Sequence, residues 1–294
     1  MRIRAAILRI INWCFWLFSF NSPLKTRIPP VLFSSLSKTF QSIRIKKSLT
    51  AILGPQYTVN PAILEIDVTY RCFRTCKNCN RFLDILPSSA EISLEQIKKF
   101  IVESRQQKRR WIRILLSGGE PILHPEIGRI IELLVDYIRA TKQTTELWLL
   151  TSTTKAAVMK ALPALPPEIH IIDSQKDSIP FHHYPVTVAL SDYPQYANAD
   201  FCNACHVPRN CGIGFNAFGY YPCTTAAAID RIFGFNVGIK ALPPENYSFE
   251  KELRILCSRC GFFNRTLPLH DTVSPQWVEA INRYKIAPPD LPRY

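Results

Sequence analysis

LEIDVTYRCFRTCKNC at residues 64–79 and LLSGGEP at residues 115–121 decide the fold of this chain of 294 residues. Each stretch begins with an apolar run that predicts a buried strand, the first over Ala62–Thr69 and the second over Trp111–Leu116. The first strand ends at three closely spaced cysteines, and the second ends at a glycine-rich turn. Because reactive sites of parallel α/β folds lie at the carboxyl ends of the strands, both turns are expected at one edge of one sheet.

Around these two stretches, apolar spacing predicts alternating strands and helices. Ser93 and Gln96 form a capping box, and helical spacing then continues to about residue 108. The other predicted elements are a helix near 127–138, a strand Glu146–Leu150, a short helix near 154–162, and strands Ile169–Ile172 and Val186–Leu190. This order predicts an α/β fold with a parallel sheet, and an irregular segment before the last strand makes one crossover degenerate. The expected architecture is a partial, degenerate (β/α) TIM-type barrel with a small Cys-rich C-terminal domain.

Charge is distributed unevenly along the chain. The formal net charge is +13, yet Glu65 is the first acidic residue, and nine of the 36 basic residues precede it. The remainder is close to neutral, which argues against a protein whose whole surface binds nucleic acid, and no nucleic-acid partner is expected. Three parts are predicted: a basic N-terminal helical leader over 1–60, a core over 61–195, and a Cys-rich domain with a tail over 196–294.

Residues 1–20 are predicted to form a hydrophobic helix with a narrow polar stripe that includes Arg2 and Arg9. The run is too short, and too interrupted by Arg9, for a membrane span. Its aromatic residues and basic flank favour a helix in the membrane interface, which would give a peripheral membrane contact. Two other interpretations stay open: a helix docked on the body of the protein, and an organelle transit peptide.

The cysteine spacing C-x3-C-x2-C, formed by Cys72, Cys76 and Cys79, favours one metal centre over separate disulfides. Three thiolates on a loop after a strand can hold three irons of a 4Fe-4S cluster and leave the fourth iron open for a substrate or cofactor. A zinc site with a distant fourth ligand is the alternative. Thiolate ligation requires a reducing compartment, so a cytoplasmic protein is expected.

Over roughly residues 62–195 the chain resembles the radical S-adenosylmethionine (radical SAM) superfamily, through the two stretches quoted above. The resemblance implies that Cys72, Cys76 and Cys79 ligate a catalytic 4Fe-4S cluster whose open iron chelates SAM. It implies an enzyme that cleaves SAM reductively to a 5′-deoxyadenosyl radical, which takes hydrogen from an unidentified peptide, protein or small-molecule substrate. It also implies an electron donor such as flavodoxin or ferredoxin. Gly118, Gly119 and Glu120 would line the methionine end of SAM, where a carboxylate pairs with the ammonium group.

Two positions depart from the pattern of that superfamily. The residue before the third cysteine is usually aromatic, and here it is Asn78, so the contact with adenine would be changed or made by the backbone. A polar Asn-Gly turn often follows the next strand, and here the turn is Thr151-Ser152-Thr153. Ser152 is therefore the candidate for the ribose contact.

A second set of cysteines lies in Phe201–Gly261 and includes the turn GYYPC, residues 219–223. This turn resembles part of the auxiliary iron–sulfur domains of the SPASM or twitch type, which implies an auxiliary cluster. Cys211 and Cys223 are the favoured ligands, followed by Cys202, Cys205, Cys257 and Cys260. Six cysteines could fill one cluster with two to spare, or one cluster with shared ligands, and a structural zinc knuckle is the alternative.

Four further residues are candidates on weaker grounds. Asp192 follows a predicted strand, where it could contact substrate or form a turn. His182 and His183 lie on the irregular loop, and Arg231 could be a cation beside a cluster or a partner in a salt bridge. The competing function class is a non-enzymatic zinc-binding scaffold that contacts a membrane or nucleic acid through its basic leader.

Overall fold

The computed structural model describes residues 29, 32, 36, 39–40, 42–174, 185–203, 205–263 and 273–294. A six-stranded sheet runs through them in the spatial order β4-β3-β2-β1-β5-β6. Its strands are β1 (Ile63–Thr69), β2 (Arg113–Gly118), β3 (Glu146–Thr151), β4 (Ile169–Asp173), β5 (Ile213–Asn216) and β6 (Gly219–Tyr221). Neighbours from β4 to β5 are parallel, whereas β6 pairs antiparallel with β5. The predicted mixed α/β fold with a mainly parallel sheet is confirmed.

Helices occupy most of the connections between the strands. They are α1 (Lys47–Leu53), α2 (Leu94–Gln106), α3 (Ile127–Thr141), α4 (Lys155–Ala161), α5 (Val207–Cys211), α6 (Thr224–Phe233), α7 (Glu250–Cys257) and α8 (Pro275–Ile286). The predicted capping box is present, because the Gln96 amide donates to Ser93 Oγ at 3.2 Å and the Ser93 amide donates to Gln96 Oε1 at 2.9 Å. The helices near 127–138 and 154–162 and the strands near 146 and 169 are also present.

Both faces of β1 are buried, but they carry different side chains. Leu64, Ile66 and Val68 are fully buried on one face, in the main core with residues of α2 and α3. Glu65 and Asp67 alternate with them and are also buried. The period of two along the strand therefore separates an apolar core from a polar interior.

Strand β2 begins two residues later than predicted. The amide of Trp111 donates to Gln143 Oε1 at 3.1 Å, and its carbonyl accepts from Thr145 Oγ1 at 2.7 Å. These side chains bind the backbone N–H and C=O of Trp111, which a neighbouring strand would otherwise pair with. Pairing with β3 accordingly begins at Arg113.

The predicted strand Val186–Leu190 is wrong. Its backbone bonds go to the C-terminal part of the chain: the Gly261 amide donates to Val186 O at 3.2 Å, and the Ser274 amide donates to Thr187 O at 3.1 Å. These residues are apolar because the C-terminal part of the chain covers them. A short apolar run alone does not distinguish a strand from a buried irregular segment.

The Cys-rich region contributes to the same sheet as the core. Strand β5 pairs with β1 in a register that places Leu64 opposite Ile213. The sheet therefore extends beyond residue 195, where sequence places the end of the core. The domain limits themselves stay a prediction.

The predicted helix over 1–20 lies outside the described residues, and so do His182 and His183. Within the part of the chain that the structure describes, no helix is long and apolar enough to cross a membrane.

The end of the predicted leader packs on the Cys-rich region through Asn203. This side chain is 1% exposed. Its amide group donates to Arg44 O at 3.2 Å and to Thr50 Oγ1 at 2.7 Å, and its carbonyl oxygen accepts from the amide of Gln56. One buried amide thus fixes residues 44–56 beside Cys202 and Cys205.

Replacement of Asn203 by alanine should lower the free energy of unfolding by about 1–3 kcal/mol, because it leaves buried backbone groups without partners. The measurement is chemical denaturation of the full chain. Asn198→Ala is the matched control, because the Asn198 side chain is exposed and the leader binds the backbone carbonyl of this residue, which the substitution keeps. Equal loss of stability in both variants would contradict the assigned role.

Candidate functional site

A pocket of about 620 Å³ opens at the carboxyl ends of β1, β2 and β3. We call it the triplet cavity, because Cys72, Cys76 and Cys79 line it. The predicted residues Gly118, Gly119 and Ser152 line it as well. Residues from three successive strand ends therefore meet at one edge of the sheet, as the sequence predicts.

Gly118 and Gly119 bring the end of β2 against the loop that carries the cysteines. The Gly119 amide donates to Thr69 O and the Glu120 amide donates to Arg71 O, each at 2.8 Å. A Cβ on Gly119 would lie 2.2 Å from Arg71 O, and a Cβ on Gly118 would lie 2.3 Å from Thr69 O. Only residues without a side chain permit this backbone approach, and Gly118 also has a φ of +128°.

Glu120 lies behind the wall of the triplet cavity rather than on its surface. Its side chain is completely buried and accepts three hydrogen bonds: from Thr151 Oγ1 at 2.8 Å, from the Ser152 amide at 2.8 Å and from Ser152 Oγ at 2.6 Å. The carboxylate therefore holds the turn after β3 in place. Its contact with the methionine end of SAM stays a prediction.

Asn78 occupies a backbone position that suits its side chain. Its φ is +55°, in the left-handed region that Asn tolerates better than bulky residues. The backbone amides of Asn78 and Cys79 bind the carboxylate of Asp84, and these bonds oppose the rise in its pKa caused by burial. Asp84 thus supports the cysteine loop, and no sequence signal points to it.

The cysteine loop is also fastened to the turn after β3. Arg74 Nη2 donates to the carbonyl oxygen of Ser152 at 2.8 Å, while the Arg74 amide donates to Cys72 Sγ at 3.4 Å. Burial raises the pKa of the Cys72 thiol, and this amide bond opposes the rise. Cys72 is thereby oriented by the same residue that closes one side of the cavity.

A buried charged network beside the triplet cavity escaped the sequence analysis. Arg81 lines the cavity, binds Asp67 at 3.0 Å and Glu65, and donates to Ser117 Oγ at 3.1 Å. Burial raises the pKa of Asp67 against the opposing effect of Arg81, whereas the two acids raise the pKa of Arg81 well above its ordinary value despite its burial. A usable signal existed, since two acids two residues apart interrupt an apolar strand.

Four of the six remaining cysteines line one pocket of about 330 Å³, the four-cysteine cavity. They are Cys205, Cys223, Cys257 and Cys260. Cys223 precedes α6, and its Sγ accepts from the Ala226 amide at 3.4 Å. Burial raises the pKa of all three buried thiols, that of Cys260 to about 12. Cysteines far apart in sequence thus meet through the packing of α5, α6 and α7.

Cys202 and Cys211 do not line the four-cysteine cavity. Cys202 Sγ donates to Glu250 O at 3.5 Å, and burial raises the pKa of its thiol to about 11. Burial raises the pKa of Cys211 to about 12, and the nearby charge of Glu65 adds to this effect. Cys211 therefore does not line the pocket beside Cys223, although it lies close enough to add to the rise in the pKa of the Cys223 thiol that burial causes.

The two cysteine groups suit a multi-iron cluster. None of the nine cysteines within the described ranges forms a disulfide. Among the same residues, no three Cys, His, Asp or Glu side chains converge closely enough to hold one metal ion. A single zinc ion needs thiolates about 2.3 Å from one centre, whereas an iron–sulfur cube binds thiolates at separate corners.

Asp192 and Arg231 both have hydrogen-bond partners within the protein, and a contact with substrate or cluster stays a prediction for each. Asp192 accepts from the amide and the side chain of Gln276, at 3.1 and 2.7 Å. Arg231 donates to the backbone carbonyls of Arg81 and Leu86 at 3.1 and 3.3 Å. Arg231 therefore ties α6 to the segment that follows the cysteine triplet, without an ion pair among the described residues.

Replacement of Gly119 by alanine should displace the cysteine loop and lower the free energy of unfolding by about 1–3 kcal/mol, because the new methyl group overlaps Arg71 O. The measurements are denaturation and the iron bound per chain after anaerobic reconstitution. Gly128→Ala is the control: it meets no atom within 4 Å and should be neutral or stabilising. Wild-type stability and iron content in Gly119→Ala would contradict this account.

A family model and two solved structures are similar to parts of this chain. Residues 68–177 match the family model of the 4Fe-4S single cluster domain. The fold is similar to a crystal structure of BtrN in complex with AdoMet and 2-DOIA, with 14% identity, a TM-score of 0.44, and coverage of 72% of this chain and 98% of that chain. A selenomethionine structure of BtrN in an open conformation gives 14% identity, a TM-score of 0.40, and coverage of 67% and 86%.

This structural likeness is too weak to identify a substrate. The family model, however, covers the cysteine triplet and the glycine turn that line the triplet cavity. Residues 68–177 are therefore similar to a 4Fe-4S single cluster domain, and membership of the radical SAM superfamily stays a prediction from the spacing of the cysteines.

Proposed function

We propose that this protein is a radical SAM enzyme that cleaves SAM reductively and abstracts hydrogen from a substrate not yet identified. The supporting observation is the triplet cavity, in which three thiols meet the glycine turn at the carboxyl edge of the sheet. When bound there, the cluster and SAM would supply an electron and a 5′-deoxyadenosyl radical. The protein supplies ligands, orientation and a site that limits water.

The residues divide this work between three strand ends. Cys72, Cys76 and Cys79 would ligate the cluster. Because Gly118 and Gly119 have no side chains, their backbone atoms form this part of the cavity wall, and a ligand can lie close to the sheet edge. The buried carboxylate of Glu120 holds Ser152 at the cavity, and the Ser152 hydroxyl oxygen, which donates to Glu120, would accept a hydrogen bond from a ribose.

Arg81 gives the triplet cavity a fixed polar side. Its guanidinium is held by Asp67 and Glu65, so its position is set before any ligand enters. The two acids also balance its charge, which a buried cation requires. We assign this network to the orientation of the polar end of the bound molecule.

The four-cysteine cavity is proposed as the auxiliary cluster site. Four thiols around one pocket complete the ligand set of a cube, so no open iron would remain there. Cys202 and Cys211, which do not line it, are left out of the ligand set. An apolar site of this kind suits a structural or electron-transfer cluster more than a site for SAM.

A soluble reductant such as flavodoxin or ferredoxin would deliver the electron. The need for reduced thiols during assembly places the enzyme in the cytoplasm. Peripheral membrane contact through residues 1–20 stays a prediction, because those residues lie outside the described part.

Anaerobic reconstitution of the full chain tests the proposed function. We expect about eight iron atoms per chain and the formation of 5′-deoxyadenosine from SAM when a reductant is added. Zinc in place of iron, with no cleavage of SAM, would instead favour a zinc-binding scaffold. Measurement of metal content and of 5′-deoxyadenosine on the same sample decides between the two.

Two cysteine variants separate the roles of the cavities. Cys76→Ala should retain about four iron atoms and lose cleavage of SAM, because the auxiliary site stays intact. Cys223→Ala should also retain about four iron atoms, but should still cleave SAM without substrate turnover. Cys202→Ala is the matched control and should keep all the iron, since this thiol lies outside both cavities. Identical behaviour of Cys76→Ala and Cys223→Ala would contradict this division.

A further inference from the structure

A third concave region lies at the opposite edge of the sheet from the triplet cavity. It is formed where α2 leads into β2 and where α3 leads into β3, and it encloses about 1300 Å³. Five basic residues line this basic pocket: Arg105, Lys108, Arg109, Arg110 and Lys142. Strand β2 has six residues and spans roughly 20 Å at about 3.3 Å per residue, so the pocket is separate from the site of catalysis.

The basic residues of this pocket have almost no acidic partners. Only Arg109 has a nearby acid among the described residues, with its Nη1 3.9 Å from Glu245 Oε1. Some other cations have closer acidic partners, as in Lys98 with Glu95 at 2.6 Å and Arg254 with Glu250 at 2.7 Å. The pocket therefore groups five cations with one acidic partner among the described residues.

The buried guanidinium of Arg109 indicates that the pocket has room in its chemistry for an anionic ligand. Its side chain is 1% exposed, and Nη2 donates to the Pro61 carbonyl at 3.0 Å. Its Nε and Nη1 atoms are buried without a hydrogen-bond partner in the described part of the chain. A buried charged donor without an acceptor is costly, and an anionic ligand in the pocket would supply the missing acceptors.

The pocket is rigid rather than a flexible basic loop. Gln143 accepts from the Trp111 amide at 3.1 Å and donates to the Arg109 carbonyl at 2.9 Å, which joins the two loops that form the pocket. The guanidinium of Arg109 lies 4.8 Å from the centre of the Trp111 ring. Because the cation covers this ring, the pocket would recognise a ligand through its charge rather than through stacking.

Helix dipoles account for only part of this cluster. Arg105 lies in the last turn of α2 and Lys142 caps α3, and cations are favoured at such ends. Arg109 and Arg110 lie beyond α2, where the dipole has little effect. Lys108 and Lys142 both have a φ of +51°, which Gly or Asn would adopt with less strain. Backbone conformation therefore does not explain why lysine occupies these two positions.

We propose that the basic pocket binds a phosphate-bearing ligand, through the guanidinium of Arg109 with Arg110 and Lys142 around it. Phosphate matches the planar fork of arginine and attracts several cations at once. The phosphate could belong to a free polyanion or to a lipid headgroup, and the chemistry of recognition is the same. This inference does not depend on the proposed enzymatic activity.

Binding to the purified full chain tests the inference with two probes. Pyrophosphate is titrated calorimetrically at low ionic strength, and flotation is measured with phosphatidylglycerol vesicles against neutral vesicles. The double variant Arg110→Glu with Lys142→Glu should weaken binding at least tenfold. The control Lys155→Glu with Lys160→Glu changes the net charge equally on α4, and should stay within about twofold of wild type.

The two probes identify the source of the phosphate. Loss of pyrophosphate binding in the pocket variant supports a free polyanion, and loss of vesicle binding alone supports a lipid headgroup. No binding of either probe by the wild-type chain would overturn the proposal. So would equal weakening in the pocket variant and in the control, because that result would reflect net charge only.

Discussion

Two backbone hydrogen bonds hold the carboxyl edge of the sheet together: the Gly119 amide donates to the Thr69 carbonyl, and the Glu120 amide donates to the Arg71 carbonyl. They join the exit of β2 to the loop that carries the cysteine triplet, and the absence of side chains at Gly118 and Gly119 makes them possible. Glu120 then fixes the exit of β3 through Thr151 and Ser152. Three strand ends become one wall because each is fastened to the next.

The cysteine loop is held from a second direction as well. Arg231 reaches from α6 to the carbonyls of Arg81 and Leu86, and Cys223 precedes the same helix. Strand β5 lies beside β1, so the Cys-rich region and the core share one sheet. Few packed elements therefore separate the two cysteine groups, so a structural change at one group can reach the other. The two proposed clusters belong to one folded unit.

Buried charge is treated differently at the two edges of the sheet. Near the triplet cavity, Arg81 is matched by Glu65, Asp67 and the hydroxyl of Ser117, so its charge is balanced within the protein. At the opposite edge, Arg109 Nε and Nη1 have no hydrogen-bond acceptor among the described residues, and Glu245 Oε1 lies 3.9 Å from Nη1. The first arrangement fixes the shape of a cavity wall, and the second leaves an attraction for an anion. The two arrangements can be compared directly because the guanidinium groups of Arg81 and Arg109 are both buried.

Sequence alone determined the parts of the structure that depend on short spacing. The triplet Cys72, Cys76 and Cys79, the glycine turn and the capping box at Ser93 all lie within a few residues of chain, where local geometry leaves few choices. The apolar pattern also determined four of the first five predicted strands. It misassigned Val186–Leu190, because an apolar run shows that a segment is buried but not which backbone it pairs with.

Tertiary structure alone decided which distant residues meet. Cys205, Cys223, Cys257 and Cys260 share a cavity because three helices pack around it, and no spacing rule selects them over Cys202 and Cys211. The basic pocket likewise joins Arg109 and Lys142 from two loops linked by Gln143. Asn203 and Asp84 gain their roles only through contacts with segments that the chain brings back to them. Short-range order follows from backbone geometry, whereas these sites depend on long-range packing that a linear pattern does not encode.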